Sequence, residues 1–384
     1  MTNLPNNSDN NYESINSDAK VETSLNGVEA DAKKNDRKQK SVNWFSKMRL
    51  WKKIVFLFGV FLLILLIVAI SVYSVLYLSG KNSLLDNNMA AVKPELEDTQ
   101  VVVDDSGKTV TYNGEKYKFN ESVTSVLCLG IDSERLEYSN KIGKSGQADA
   151  IYLFVLDTAT GKTRVVTISR DSMVDVNVYA PTGEFVETKR MQLCLAYAYG
   201  DGKEGSCENV VKSVERLLYG IPINSYFAID LSAISVLNDQ IGGVEVSEYT
   251  SDYSQKTGRK VTLFGDAARE YVQKRDISFL DSNNYRIERQ LEYIKSFSNK
   301  VIAKTKNNLN VPLNMFNTIS KYSVTNVNAS SITYLTTVLL KRDFDISYDT
   351  VKGEVIMGEE YAEFIVDEKS LYELILDLFY VKVS

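Results

Sequence analysis

Residues 124–132 read TSVLCLGID, and the fold is decided by how this stretch and its neighbours are read. It is a short apolar run that ends in Gly130 and then delivers Asp132, the pattern of a buried strand entering a functional loop. Two more such runs follow. AIYLFVLD (150–157) and TRVVTISR (163–170) are joined by a short Thr-Ala-Thr-Gly turn and read as a β-hairpin. Helical patterns come next. Ser206 can cap a helix over 207–218 whose apolar face is Val210, Val211, Val214, Leu217 and Leu218. Residues 224–230 return as a strand, and a helix over 231–240 stops at Gly242-Gly243. Residues 266–274 and 285–304 are helical. Beyond 308 come two more helical stretches, a strand at 363–366 and a terminal helix over 369–380. This interleaving predicts an α/β (α+β) fold, a central mixed β-sheet flanked by helices.

Outward toward the N-terminus, residues 54–78 read IVFLFGVFLLILLIVAISVYSVLYL without a charge. Such a run is long enough to cross a hydrocarbon core of ~30 Å. It starts too late and runs too long for a cleaved signal peptide, so an uncleaved signal-anchor, one N-terminal transmembrane helix, is expected. Lys33, Lys34, Arg37, Lys38, Lys40, Lys47, Arg49, Lys52 and Lys53 precede it, whereas Lys81 and then Glu95, Glu97 and Asp98 follow. Basic flanks stay cytoplasmic, which puts the C-terminal domain outside the cell. Residues 1–53 read as a disordered basic tail, and 79–120 as a stalk with a weak hairpin signal at its Asp-Ser-Gly and Asn-Gly turns.

The composition removes whole classes of chemistry. Histidine is absent, which excludes Ser-His-Asp and Cys-His catalysis and His-ligated zinc. The net charge of −6 argues against a nucleic-acid partner. Three cysteines, Cys128, Cys194 and Cys207, make no disulfide framework, though a Cys194–Cys207 bridge is a hypothesis that a free-thiol count tests. Catalysis is left to carboxylates, Arg, Lys, Tyr, Ser or a metal on oxygen ligands.

Several charged motifs stand at strand ends, where open sheets place ligand-binding groups. They are Asp132 with Arg135, Asp149 ahead of a strand, and Arg170-Asp171 after one. Singly they suit strand-end turns and salt bridges. Together, aspartates and arginines form a divalent-metal and phosphate kit. A second cluster runs from 268 to 290. Arg275 ends one helix, while Arg286, Arg289 and Gln290 open the next, with Arg286 and Gln290 on one face. Arginines at a helix start oppose the macrodipole unless an anion sits there, or unless they form a solvated basic face paired with Asp276, Asp281 and Glu288.

In order along the chain, Gly130-x-Asp132 with Arg135, Asp149, SRDS (169–172), AYAYG (196–200), IPINSYFAID (221–230), IGGVEV (241–246), YVQKR (271–275) and RIERQ (286–290) resemble the LytR-CpsA-Psr (LCP) family of cell-wall glycopolymer phosphotransferases. The likeness spans roughly 123–304. It implies an LCP-like catalytic domain over 121–307, followed by a C-terminal helical extension over 308–384 packed on it. It further implies transfer of a glycopolymer from a polyprenyl-pyrophosphate carrier to peptidoglycan at the membrane's outer face. Asp132 and Asp149 match positions tied to Mg²⁺, and with Arg170 and Arg275 make the implied catalytic set. Arg135, Asp171, Gln273, Arg286, Arg289 and Gln290 are the implied substrate-binding set. AYAYG and the 207–218 helix can wall a lipid groove or simply fill the core.

The chain departs from the family pattern at several points. An arginine is replaced by Gln273, a proline by Ser169 and an aspartate by Asn283, while Gln192 and Cys194 stand at a basic and an amide position. Arg135 sits one residue late. Each lost cation weakens phosphate grip by ~1–3 kcal/mol, unless a neighbour such as Lys189 or Arg190 stands in. The rival to the enzyme reading is a catalytically weak, anchored glycopolymer-binding protein, or a polyprenyl pyrophosphatase.

Overall fold

Alternation along the strands divides the sheet into two different faces, and the site grows from that division. In this computed structural model the described residues are 48–85, 92–94, 96, 100–139, 145–251, 255–274, 282–342, 345–358 and 361–383. The chain divides into two compact units, Met1–Tyr73 and Ser74–Ser384. The helix α1 (Leu50–Leu84) carries the apolar run, and its large apolar side chains from Ile54 to Val75 are exposed. It is long and apolar enough to cross a membrane.

β1 (Val101–Val103), β2 (Thr109–Tyr112) and β3 (Glu115–Phe119) form a meander at the Asp-Ser-Gly and Asn-Gly turns. Asn113 and Gly114 both have positive φ, as a tight turn between paired strands requires. β3 also pairs with the last strand, β16 (Tyr380–Val383). Within the segment read as a stalk, residues 101–119 therefore form one sheet with β16.

The central sheet is mixed and six-stranded. β4 (Val123–Ile131) and β5 (Ala148–Asp157) run antiparallel, β5 pairs antiparallel with β6 (Lys162–Ile168), and β9 (Ser225–Ile229) runs parallel to β4. β12 (Ser323–Thr325) and β13 (Asp345–Thr350) complete its two edges. The extension beyond 308 thus supplies both edge strands as well as α7 (Val311–Ile319), α8 (Ala329–Lys341), the hairpin β14 (Gly353–Met357)–β15 (Ala362–Val366) and α9 (Glu368–Phe379).

Leu127, Leu129, Ile151, Leu153, Val166 and Ala228 point to one face of this sheet, into the main core. There they meet α2 (Leu195–Ala198), α3 (Glu204–Leu217) and α9. Tyr197 on α2 and Cys207, Val210 and Val214 on α3 are fully buried in that core. AYAYG and the predicted 207–218 helix therefore fill the core and wall no groove. α3 begins earlier than expected, with Lys203 at its N-cap and Ser206 inside its first turn, where the Asp201 carboxylate accepts from the backbone N–H of Lys203 (2.8 Å) and Ser206 (3.0 Å). The hairpin β7 (Met173–Tyr179)–β8 (Phe185–Gln192) also packs here, through Val174 and Val176.

The opposite face is covered by α4 (Leu231–Gln240), α5 (Asp266–Gln273) and α6 (Ser282–Asn307). α4 is capped by Asp230, whose carboxylate accepts from Ala233 N–H at 3.0 Å, and it ends at Gly242 and Gly243, both at positive φ. The hairpin β10 (Val244–Tyr249)–β11 (Lys256–Leu263) carries a second small core against α5 and α6.

Candidate active site

Alternate residues of β4, β5 and β9 turn away from the core. Cys128, Gly130, Ala150, Tyr152, Phe154, Phe227 and Ile229 line a cavity of about 370 Å³. Ile234 and Leu237 of α4 and Tyr293, Ile294 and Phe297 of α6 close it from the helical side. Tyr293 and Phe297 stack with their ring centroids 6.0 Å apart. The walls are therefore almost wholly hydrocarbon. Apolar side chains here are left facing a void because the helices stand off the sheet, and such a space gains free energy by taking up an apolar ligand.

Charged groups gather where the strands end. Register along β4 and β5 runs Gly130 to Ala150 and then Ile131 to Ala148, so Asp149 is the extra residue of a β-bulge. Bulges re-aim a side chain, and here the Asp149 carboxylate meets two guanidinium groups. Arg170, just past β6, bonds its Oδ1, and Arg286 on α6 approaches its Oδ2 at 3.3 Å. Arg170 also donates to Gln147 Oε1 at 2.6 Å and to Cys194 Sγ at 3.2 Å. Burial disfavours its charge, but Cys194, Asp149 and Asp171 facing it outweigh that and raise its pKa.

Asp132 follows β4 and lines the same cavity as Asp149 and Arg286. Its Oδ1 accepts the backbone N–H of Gln147. Gly146 (φ +88°) permits this approach, because a Cβ there would lie 2.9 Å from that oxygen. Burial, and secondarily the charge of Asp149, raises the Asp132 pKa. Among the described residues no group of three or more acidic, Cys or His side chains converges. Two carboxylates at one mouth, one of them carrying an unfavourable charge, still fit a hard divalent cation such as Mg²⁺, which completes its shell with water and phosphate oxygens.

The predicted site residues fall into groups. Asp132, Asp149, Arg170, Arg286, Gln273 and Gln290 come together, all but Arg170 lining the cavity. Gln290 is held by the Tyr152 hydroxyl, which donates at 2.9 Å, and itself donates to Val272 O at 3.0 Å. Asp171 is close by but tied down, 3.4 Å from Arg170 Nε and accepting from Gln192 Nε2 at 3.1 Å. Arg135 is not brought in: it stands exposed, 3.4 Å from Glu137. Lys189 and Arg190 are exposed on β8. Arg275 lies outside the described residues, as does the side chain of Asn283.

Arg289 departs most from expectation. It is fully buried and donates to the carbonyls of Tyr271 (3.0 Å) and Lys274 at the C-terminal end of α5, with its guanidinium 5.6 Å from the Tyr249 ring centre. The conflict with the dipole of its own helix is thus resolved by the negative end of another. The Cys194–Cys207 bridge is not formed. Both are buried free thiols, Cys194 against Arg170 and Cys207 in the core, and burial raises the Cys194 pKa to about 11. Sequence reading also missed Gln147, Tyr152 and Cys194 as partners at the mouth. The alternation that puts Tyr152 on the Cys128 face hinted at the neighbourhood of the first two, and the motif position of Cys194 hinted at the third, but neither named a partner.

The polyisoprenyl-teichoic acid–peptidoglycan teichoic acid transferase TagU of Enterococcus faecalis is 26% identical over 257 residues, 64% of this chain and 73% of that protein. Among solved structures, a Streptococcus agalactiae protein superposes with a TM-score of 0.52 at 20% identity, covering 67% of this chain and 88% of that one. Bacillus subtilis TagV gives 0.50 at 19%, covering 67% and 95%. These two likenesses concern the fold. The LytR_cpsA_psr family model matches residues 87–378, which takes in the sheet, the cavity and the charged mouth, and this chain belongs to the LytR_cpsA_psr family.

Proposed function

We propose that this chain transfers a glycopolymer from a polyprenyl-pyrophosphate carrier to peptidoglycan at the outer face of a membrane, anchored by α1 with its N-terminus cytoplasmic. One observation carries the reading: an apolar cavity opens directly onto Asp132, Asp149 and Arg286, with Arg170 behind Asp149. Such walls suit an isoprenoid tail, each buried methylene contributing ~0.8 kcal/mol. The mouth suits the diphosphate that the tail carries. The name of the E. faecalis relative supports the same substrate class, and the basic residues before Ile54 support the orientation.

Arg170 and Arg286 hold the pyrophosphate and offset the charge that grows on the departing phosphate. A peptidoglycan hydroxyl attacks the phosphorus nearer the glycopolymer. The bond from that phosphorus to the bridging oxygen breaks, and polyprenyl monophosphate leaves with the electron pair. The hydroxyl proton leaves through the open mouth, where a carboxylate can carry it. Asp171 is poorly placed for this, being occupied by Gln192 and Arg170. Asp132 and Asp149 are the residues that would hold Mg²⁺, which when bound supplies further neutralisation of phosphate charge.

The test mixes the detergent-solubilised full chain with a synthetic glycan-pyrophosphoryl-polyprenol and peptidoglycan fragments in Mg²⁺. A phosphodiester-linked conjugate with released polyprenyl monophosphate is expected. No binding at all refutes the reading. Tight binding without conversion establishes instead an anchored glycopolymer-binding protein, the reading that Gln273 favours by lining the cavity with an amide where a cation would grip phosphate. Hydrolysis without transfer indicates a pyrophosphatase.

A further inference from the structure

Resting on that reading, we infer that Arg269 is an additional phosphate-binding side chain of the cavity mouth, held in reserve by Glu134 until a diphosphate arrives. Arg269 lies one turn before Gln273 on α5, and its Nε donates to Gln273 Oε1 at 3.3 Å. Its other two nitrogens fork onto Glu134, Nη1 to Oε2 at 2.9 Å and Nη2 to Oε1. Gln273 lines the cavity, and Glu134 is two residues beyond Asp132, which also lines it. The guanidinium therefore bridges the rim between the loop after β4 and α5.

Charge balance gives it a task. Among the described residues Asp132, Asp149 and Asp171 carry three negative charges and Arg170 and Arg286 two positive ones, so both cations already face carboxylates and a further guanidinium at the rim strengthens the pull on a diphosphate. A guanidinium forked on a carboxylate presents the same paired donors that a phosphate accepts. The Glu134 side chain is 67% exposed and that of Arg269 24%, so water screens the carboxylate partner while the guanidinium stays fixed at the rim, where a phosphate can take the carboxylate's place on the same fork. The simpler role, a clasp that only ties the rim loop to α5, predicts a different pattern of variants. A clasp is weakened by removing either partner. A reserved cation is lost with Arg269 but released by neutralising Glu134.

Farnesyl pyrophosphate, a soluble isoprenyl pyrophosphate, is titrated calorimetrically into the detergent-solubilised full chain, with farnesol as the phosphate-free control. Arg269→Gln is expected to weaken farnesyl pyrophosphate about 10-fold, Arg269→Lys less, and Glu134→Gln to tighten it several-fold. In the Arg269→Gln background the Glu134→Gln gain disappears, and farnesol binding is the same in every variant. Thermal unfolding is followed throughout. If Arg269→Gln does not fold, Arg269→Lys and Glu134→Gln decide the matter by their opposite signs. A Glu134→Gln variant that fails to tighten, a gain that persists without Arg269, or Arg269→Gln within twofold of the parent overturns the inference alone. A parent chain that binds no farnesyl pyrophosphate overturns the cavity reading with it.

Discussion

Replacing Arg289 by Met separates a structural arginine from the phosphate-binding ones a few residues away. The substitution keeps an unbranched chain of similar reach and removes the donors to Tyr271 O and Lys274 O. These carbonyls belong to the end of α5, where a helix has no internal partners left to offer. Arg289 is 0% exposed, so water does not replace the lost donors. Each buried carbonyl left without a partner costs ~1–3 kcal/mol, and the contact with Tyr249 adds ~1 kcal/mol. Relief from burying a charge offsets part of this, for a net loss of ~2–4 kcal/mol. At about 2–4 °C per kcal/mol, Tm falls by roughly 4–16 °C in a thermal melt of the solubilised chain. Well below that Tm, affinity for farnesyl pyrophosphate changes less than about threefold, because Arg289 does not line the cavity. Arg286→Met shows the reverse emphasis, an affinity loss of about 10-fold or more. An Arg289→Met chain that melts normally but no longer binds the ligand refutes this assignment.

Filling the cavity with Ile294→Trp displaces about one isoprene unit, ~3 kcal/mol of lost burial, and is expected to weaken lipid pyrophosphate binding ~100-fold with a small change in Tm, both readable by calorimetry. Asp132→Asn abolishes transfer yet raises Tm at pH 7, because the raised pKa means that folding opposes this charge. That destabilisation is fully present above the raised folded pKa and vanishes as pH falls below the ordinary value of 3.8, so the Tm advantage must shrink to nothing along that window. The denatured chain titrates with three thiols, with or without prior reduction, and reduction leaves the Tm unchanged.

Local chemistry made part of this molecule legible. The charge-free run at 54–78, the hairpin of β5 and β6 and the helix α4 with its Gly242-Gly243 stop are each written in contiguous residues, so hydrophobic pattern and turn residues find them. The β7–β8 hairpin was also written, in the alternation of Val174, Val176 and Val178, but charged and polar residues between the valines obscured it. The cavity was not legible. Cys128 and Leu129 are adjacent apolar residues on one strand, and nothing in their identity says that the first faces a ligand space while the second is wedged in the core. That depends on how far α4 and α6 stand from the sheet. The role of Arg289 was equally hidden, because its partners are backbone carbonyls, which leave no trace in sequence. Asp149 and Arg286 are remote in the chain and stand out for separate reasons, one as a charge at a strand end and the other as an arginine at a helix start, while their 3.3 Å contact is a product of the fold.

The most direct test is the structure of the full chain with a polyprenyl pyrophosphate bound. The tail should lie between β4, β5, β9 and α6, against Tyr152, Phe227 and Phe297, with phosphate oxygens within hydrogen-bond distance of Arg170 and Arg286. A lipid seated elsewhere, or phosphates remote from the Asp149 cluster, contradicts the account.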